Sequence, residues 1–148
     1  MLSASAVAET ILGFDFGEKR IGVAVGNTVT SQAQALTTLH VESNAARLGA
    51  VEKLVKEWQP AGFVVGQPEH ADGKPHAVAH RAKKFGNRLQ EKFRLPVAYI
   101  NETLSSTEAS RLLAERGVKG IAQKTEIDAV AAQVILQSYL DERSRHAA

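Results

Sequence analysis

A chain of 148 residues, 44% hydrophobic and 23% charged, has the make-up of one globular domain large enough for a proper core. The absence of cysteine excludes disulfides, thiolate zinc sites and cysteine nucleophiles. A net charge of +2 is too small to argue for nucleic acid by itself, and no apolar run approaches the roughly 18 residues of a membrane span. The first ten residues carry no Lys or Arg and so lack the basic start of a signal peptide; a cytoplasmic protein with no membrane partner is expected.

Residues 1–9 read as a loose tail, 10–142 as the single domain and 143–148 as a second tail. Thr10 to Asp15 and Arg20 to Gly26 are β-prone and joined through Gly17, a hairpin pattern. Ala35 to Val41 alternates and supplies a third strand, which completes an antiparallel meander. Ser43 or Asn44 can cap a helix whose apolar face is Leu48, Val51, Leu54, Val55 and Trp58, and Pro60 stops it. Gly62 to Gly66 is a short continuous apolar strand, the kind buried on both faces in a parallel arrangement.

Pro68 to Lys74 is a loop with Asp72-Gly73 as its turn signal, followed by a helix from about Pro75 to Phe93. Arg81, Lys83, Lys84, Arg88, Lys92 and Arg94 make this helix and its end strongly basic against the single acid Glu91. Pro96 to Asn101 is the fifth strand, and the capping-box spacing from Ser105 to Glu108 opens a helix to Arg116. Gly117 to Lys124 reads as a mobile loop, and Thr125 to about Glu142 as the final helix. A meander followed by alternating helices and strands describes an α/β fold, a five-stranded mixed sheet flanked by helices.

Three acids stand out. Asp15 lies in the first strand between Phe14 and Phe16, where an unpaired carboxylate is costly. Glu102 directly follows the fifth strand, and Asp128 falls in the first turn of the expected final helix. Singly, each has an ordinary explanation: a turn cap, a polar strand end, a partner for the helix dipole. Jointly they converge if strands one, four and five run parallel, because the edge beyond the carboxyl ends of parallel strands is where open α/β sheets place their sites. Carboxylates sharing a site repel one another unless a cation joins them, and oxygen-only ligands select Mg²⁺ or Mn²⁺.

The ordered motifs Asp15-x-Gly17-x-Lys19-Arg20-Ile21-Gly22-Val23-Ala24, Val65-Gly66-x-Pro68 with Asp72-Gly73, Glu102-x-Leu104-Ser105 and Asp128-x-x-Ala131-Ala132 resemble those of the YqgF/RuvX family over about residues 10–142. The resemblance implies an RNase H-like fold related to the RuvC Holliday-junction resolvases, and a nuclease that processes pre-16S rRNA in ribosome biogenesis. By it, Asp15, Glu102 and Asp128 occupy the family's acidic, catalytic and metal-holding positions. The family usually reads Asp-Glu-Arg where this chain has Asn101-Glu102-Thr103, and Leu where it has Gln67.

Candidate nucleic-acid contacts are Lys19, Arg20, Lys74, Arg81, Lys84 and Arg88, which can hold a phosphate backbone by charge alone. The same residues also suit a solvated surface, and only the clustering of charge on one helix favours the functional reading. His76 and His80, spaced by four, read as a surface pair for want of a third ligand. With 5% aromatics, backbone or shape recognition is expected rather than base stacking. The expected substrate is structured RNA or branched DNA, handled by a monomer or weak homodimer. The alternatives are a non-catalytic nucleic-acid-binding factor on the same fold, and phosphoryl transfer from ATP, since Asp-x-Gly hairpins also open the actin-like kinases.

Overall fold

The computed structural model describes residues 9–17, 20–41, 43–67, 77–101 and 121–147. Strands β1 (Thr10–Phe16), β2 (Arg20–Asn27), β3 (Gln32–His40), β4 (Gly62–Gln67) and β5 (Val97–Asn101) form one sheet in the order β3-β2-β1-β4-β5. The described helices are α1 (Asn44–Trp58), α2 (Ala77–Phe93) and α3 (Ile121–Ala147). β1, β2 and β3 make the expected antiparallel meander, and β4 and β5 run parallel to β1. The predicted tail over residues 1–8, the loop from Pro68 to Lys74 and the helix from Ser105 to Arg116 lie outside the described residues.

Strand periodicity sorts the sheet into two unlike faces. Leu12, Phe14 and Phe16 of β1, Ile21 and Val23 of β2, and Phe63 and Val65 of β4 share one core with Val51 and Leu54 of α1 and Ala82, Phe85 and Leu89 of α2. Phe85 meets Phe14 edge-on at 5.5 Å and Phe16 at 5.3 Å, which fixes α2 over the centre of the sheet. The opposite face carries Ile11, Ala24, Ala33 and Val64, which pack on Ala132, Ile135, Leu136 and Leu140 of α3. Glycines stud this second face, and a Cβ on Gly13 would lie 2.8 Å from the Leu136 Cβ. With so little side chain between them, α3 rides close to the strands.

Local chemistry accounts for the ends of α1. Ser43 is its N-cap, accepting a hydrogen bond from the Ala46 N–H at 3.1 Å. Its C-cap, Gln59, takes a left-handed φ of 48° just before Pro60. The alternation of β3 begins earlier than predicted, at Gln32, where Ala33 is buried between exposed glutamines. Its register against β2 shifts between Val23 and Ala24, a bulge that the pattern from Ala35 onward does not reveal.

The final helix departs most from expectation. It starts at Ile121 rather than Thr125, so residues 121–124 are not loop. It continues to Ala147, through most of the predicted C-terminal tail. No Gly or Pro occurs between Ile121 and Ala147, so nothing in the backbone stops it at either expected boundary. Among the described residues no helix is long and apolar enough to cross a membrane.

Candidate active site

Asp15 is the penultimate residue of the central strand, at the carboxyl edge of the parallel set. Phe14 and Phe16, its neighbours in sequence, project to the opposite face and do not enclose its carboxylate. Its true neighbours are the cross-strand partners, Gly22 on β2 and Gly66 on β4. A Cβ at Gly22 would overlap the backbone carbonyl of Asp128, and one at Gly66 would overlap the Ile135 side chain. The two glycines therefore leave the carboxylate a slot roofed by α3. A mid-strand glycine commonly marks such a close approach.

This slot brings Asp15 and Asp128 together. Burial, and after it the charge of Asp128, pushes the Asp15 carboxyl up from 3.8 to about 7. Burial also raises Asp128, against the opposing pull of Arg20 and then His40. The Arg20 Nε lies 3.0 Å from the Asp128 Oδ2. That oxygen is buried and makes no hydrogen bond among the described residues, so the approach is ionic without hydrogen-bond alignment. Asp128 lies seven residues beyond Ile121, two turns into α3. The helix dipole acts within the first turn, so it does not explain an acid at this depth.

The upper end of α3 is held by the contact at Gly22 and its middle by glutamines. Gln137 accepts the Ala33 N–H through Oε1 at 2.9 Å and donates through Nε2 to the Ser31 carbonyl at 2.7 Å. Gln133 donates to the Ala33 carbonyl at 3.1 Å. These bonds tie α3 to the outermost strand of the meander and set the register at which Asp128 arrives over Asp15.

The remaining predicted residues fall in three places. Arg20 opens β2 on the face of Asp15 and joins the acidic pair directly. Arg81, Lys84 and Arg88 are exposed on α2, on the sheet face away from the Asp15 slot. Glu102, Lys19 and Lys74 lie outside the described residues. Sequence reasoning missed His40, which pairs in register with Arg20 at the end of β3 and is felt by Asp128. It also gave Gly22 and Gly66 no part in the site. The signal was there for Gly22, a glycine inside a β-branched run, but the helix that needs it is more than a hundred residues away.

Among the described residues no group of three acidic or histidine side chains forms a metal cluster. The pair that is present nonetheless suits a divalent cation. Both carboxyls are pushed up by burial, Asp15 further by the charge of Asp128, and one buried oxygen has no hydrogen-bond donor among the described residues. Both donors are hard oxygens of the kind that Mg²⁺ and Mn²⁺ take.

A family model described as "RuvX: Holliday junction resolvase" matches residues 9–142. A protein of Burkholderia ambifaria named "Putative pre-16S rRNA nuclease" is 50% identical over 146 residues, covering 99% of this chain and 98% of its own. One of the same name from Dechloromonas aromatica is 52% identical over 132 residues, covering 89% and 90%. In fold, the chain matches Thermus thermophilus RuvC, solved with a Holliday junction substrate, at a TM-score of 0.56 and 15% identity, over 92% of this chain and 96% of that one. It matches the Fowlpox virus resolvase, solved with Holliday junction DNA, at 0.54 and 10%, over 90% and 98%. The fold is that of the RuvC-like, RNase H-type resolvases, and the chain belongs to the RuvX family.

Proposed function

We propose that the protein is a divalent-metal-dependent endonuclease of the cytoplasm, one that hydrolyses phosphodiester bonds in structured RNA and trims the pre-16S rRNA end. The observation that carries this reading is the meeting of Asp15 and Asp128 in the glycine-lined slot at the carboxyl edge of the sheet. Family membership and the names of the relatives supply the substrate class. They favour phosphodiester hydrolysis over phosphoryl transfer from ATP.

In this reading Asp15, Asp128 and Glu102 hold Mg²⁺ or Mn²⁺. The bound cation supplies an activated water and stabilisation of the leaving oxygen. Asp15 gives its ligand charge from a rigid position, near the end of a strand paired on both sides. Lys19 and Arg20 contact phosphate, and Lys74, Arg81, Lys84 and Arg88 hold the nucleic-acid backbone by charge. α2 follows β4 and returns the chain to the start of the parallel β5, so its first turns lie nearest the carboxyl edge. From Arg81 to Arg88 its basic face then runs roughly 10 Å away from that edge.

The family model's description favours one second reading, resolution of four-way DNA junctions. A panel of end-labelled precursor rRNA fragments and four-way junctions, each with and without Mn²⁺, separates the two. Mn²⁺-dependent cleavage of the rRNA fragment that Asp15→Asn abolishes supports the proposal. Cutting of junctions alone favours the second reading. Binding without cleavage of either substrate, at any Mn²⁺ concentration, leaves a non-catalytic binding factor.

A further inference from the structure

We infer that Arg20 is a resident counter-cation of the acidic pair, one that competes with the divalent ion for Asp128 and is released to the substrate when that ion binds. The inference rests on the metal-dependent reading above and adds a residue that governs loading. Arg20 lies two positions before Gly22 on β2, so its side chain leaves the sheet on the face where α3 brings Asp128 down. Its Nε reaches within 3.0 Å of the Asp128 Oδ2. That oxygen is buried and otherwise has no hydrogen-bond partner among the described residues. A guanidinium there neutralises one carboxylate in the absence of metal, which keeps two acids in one slot from driving α3 away.

The contact is built for exchange. The Arg20 side chain is 43% exposed, against 18% for Asp128, so the cation stands at the rim and the acid within. The pair lacks hydrogen-bond alignment, and an ion pair at that exposure contributes only about 0.2–1 kcal/mol. A divalent ion held by several carboxylates outcompetes it. Once displaced, the guanidinium stays at the mouth of the site, where its planar donors suit a phosphodiester oxygen. Metal loading and the grip on substrate are thereby coupled through one side chain.

The test is Mn²⁺ binding to the full chain without nucleic acid, read from the electron paramagnetic resonance of free Mn²⁺. Arg20→Gln should bind Mn²⁺ about 1.4- to 5-fold more tightly than wild type, the ratio that an ion pair at this exposure is worth. Arg20→Lys, which keeps the charge, should stay closer to wild type. In the unaltered protein, the Arg20 Nε–H resonance should move as Mg²⁺ saturates the site, a readout that does not depend on any variant folding. Equal Mn²⁺ affinity of wild type and Arg20→Gln, or an Arg20 resonance unmoved at saturating Mg²⁺, overturns the inference. No Mn²⁺ uptake by the wild type overturns the metal-dependent reading beneath it as well.

Discussion

Replacing Asp15 with Asn tests the site without reference to any substrate. The side chain keeps its size and loses its charge beside Asp128. In the fold the Asp15 carboxyl is raised from 3.8 to about 7, so between those values the folded protein holds a proton that the unfolded chain has given up. Stability is therefore fully present below about pH 4 and falls as the pH rises through about 7. At 1.36 kcal/mol per decade, the ionised form costs the metal-free fold at most roughly 4 kcal/mol. Asp15→Asn should match wild type near pH 4 and exceed it by a few kcal/mol at pH 8. Urea melts in a chelator across that range measure the difference. Saturating Mg²⁺ should close the gap from the wild-type side only, by about 2.7 kcal/mol at a hundredfold excess over its Kd. If both proteins show the same pH slope, or the variant is the less stable at pH 8, then Asp15 is a turn cap and the account of the slot fails.

Gly22→Ala places a methyl group against the Asp128 backbone, which cannot swing aside as a side chain can. It should cost at least about 1–3 kcal/mol in urea melts and lower Mn²⁺-dependent cleavage more than melting accounts for. Gln137→Ala strands the Ala33 N–H and the Ser31 carbonyl. It should destabilise by about 1–3 kcal/mol, and amide exchange at Ala33 should quicken. Reversing Lys83, Lys84 and Arg88 together should weaken RNA binding and flatten its dependence on salt, as measured by filter binding at several ionic strengths. An unchanged salt slope would make that face merely solvated. Phe85→Ala should cost about 3–5 kcal/mol, because Phe14 and Phe16 both pack on that ring.

Much of this architecture is legible in the sequence, because local pattern and topology agree. The alternation in β1 and β2, the turn at Gly17 and the unbroken apolar run of β4 give three strands their places. A helix before β4 implies the parallel crossover that puts Asp15 at the carboxyl edge of the parallel strands. What misleads is reading sequence neighbours as spatial neighbours. Phe14 and Phe16 flank Asp15 in the chain yet point the other way, whereas Gly22 and Gly66 enclose it. Asp128 looks like a first-turn acid because Thr125 resembles a cap, but the helix runs on to Ile121 where no residue interrupts it. The side of the sheet that the basic helix covers is equally hidden, since Arg81, Lys84 and Arg88 say only that one face of α2 meets solvent. Buried Ala82, Phe85 and Leu89 put that helix on the phenylalanine face. Glu102, Lys19 and Lys74 lie outside the described residues and remain proposals.

The glutamine ties between α3 and β3 bear on biosynthesis. The bond from Ala33 to Gln137 spans 104 residues, so the strand waits for its partner until that much more of the chain has been made. During synthesis the N-terminal part of a chain begins to fold first, and contacts of such long sequence separation close late. The meander can form with Asp15 already at its end, but Asp128 is absent from the slot until α3 docks. A nascent chain at that stage carries half of its acidic pair. On the function proposed above, competence to cleave then arrives only with the docking of α3, as a readout of completed folding.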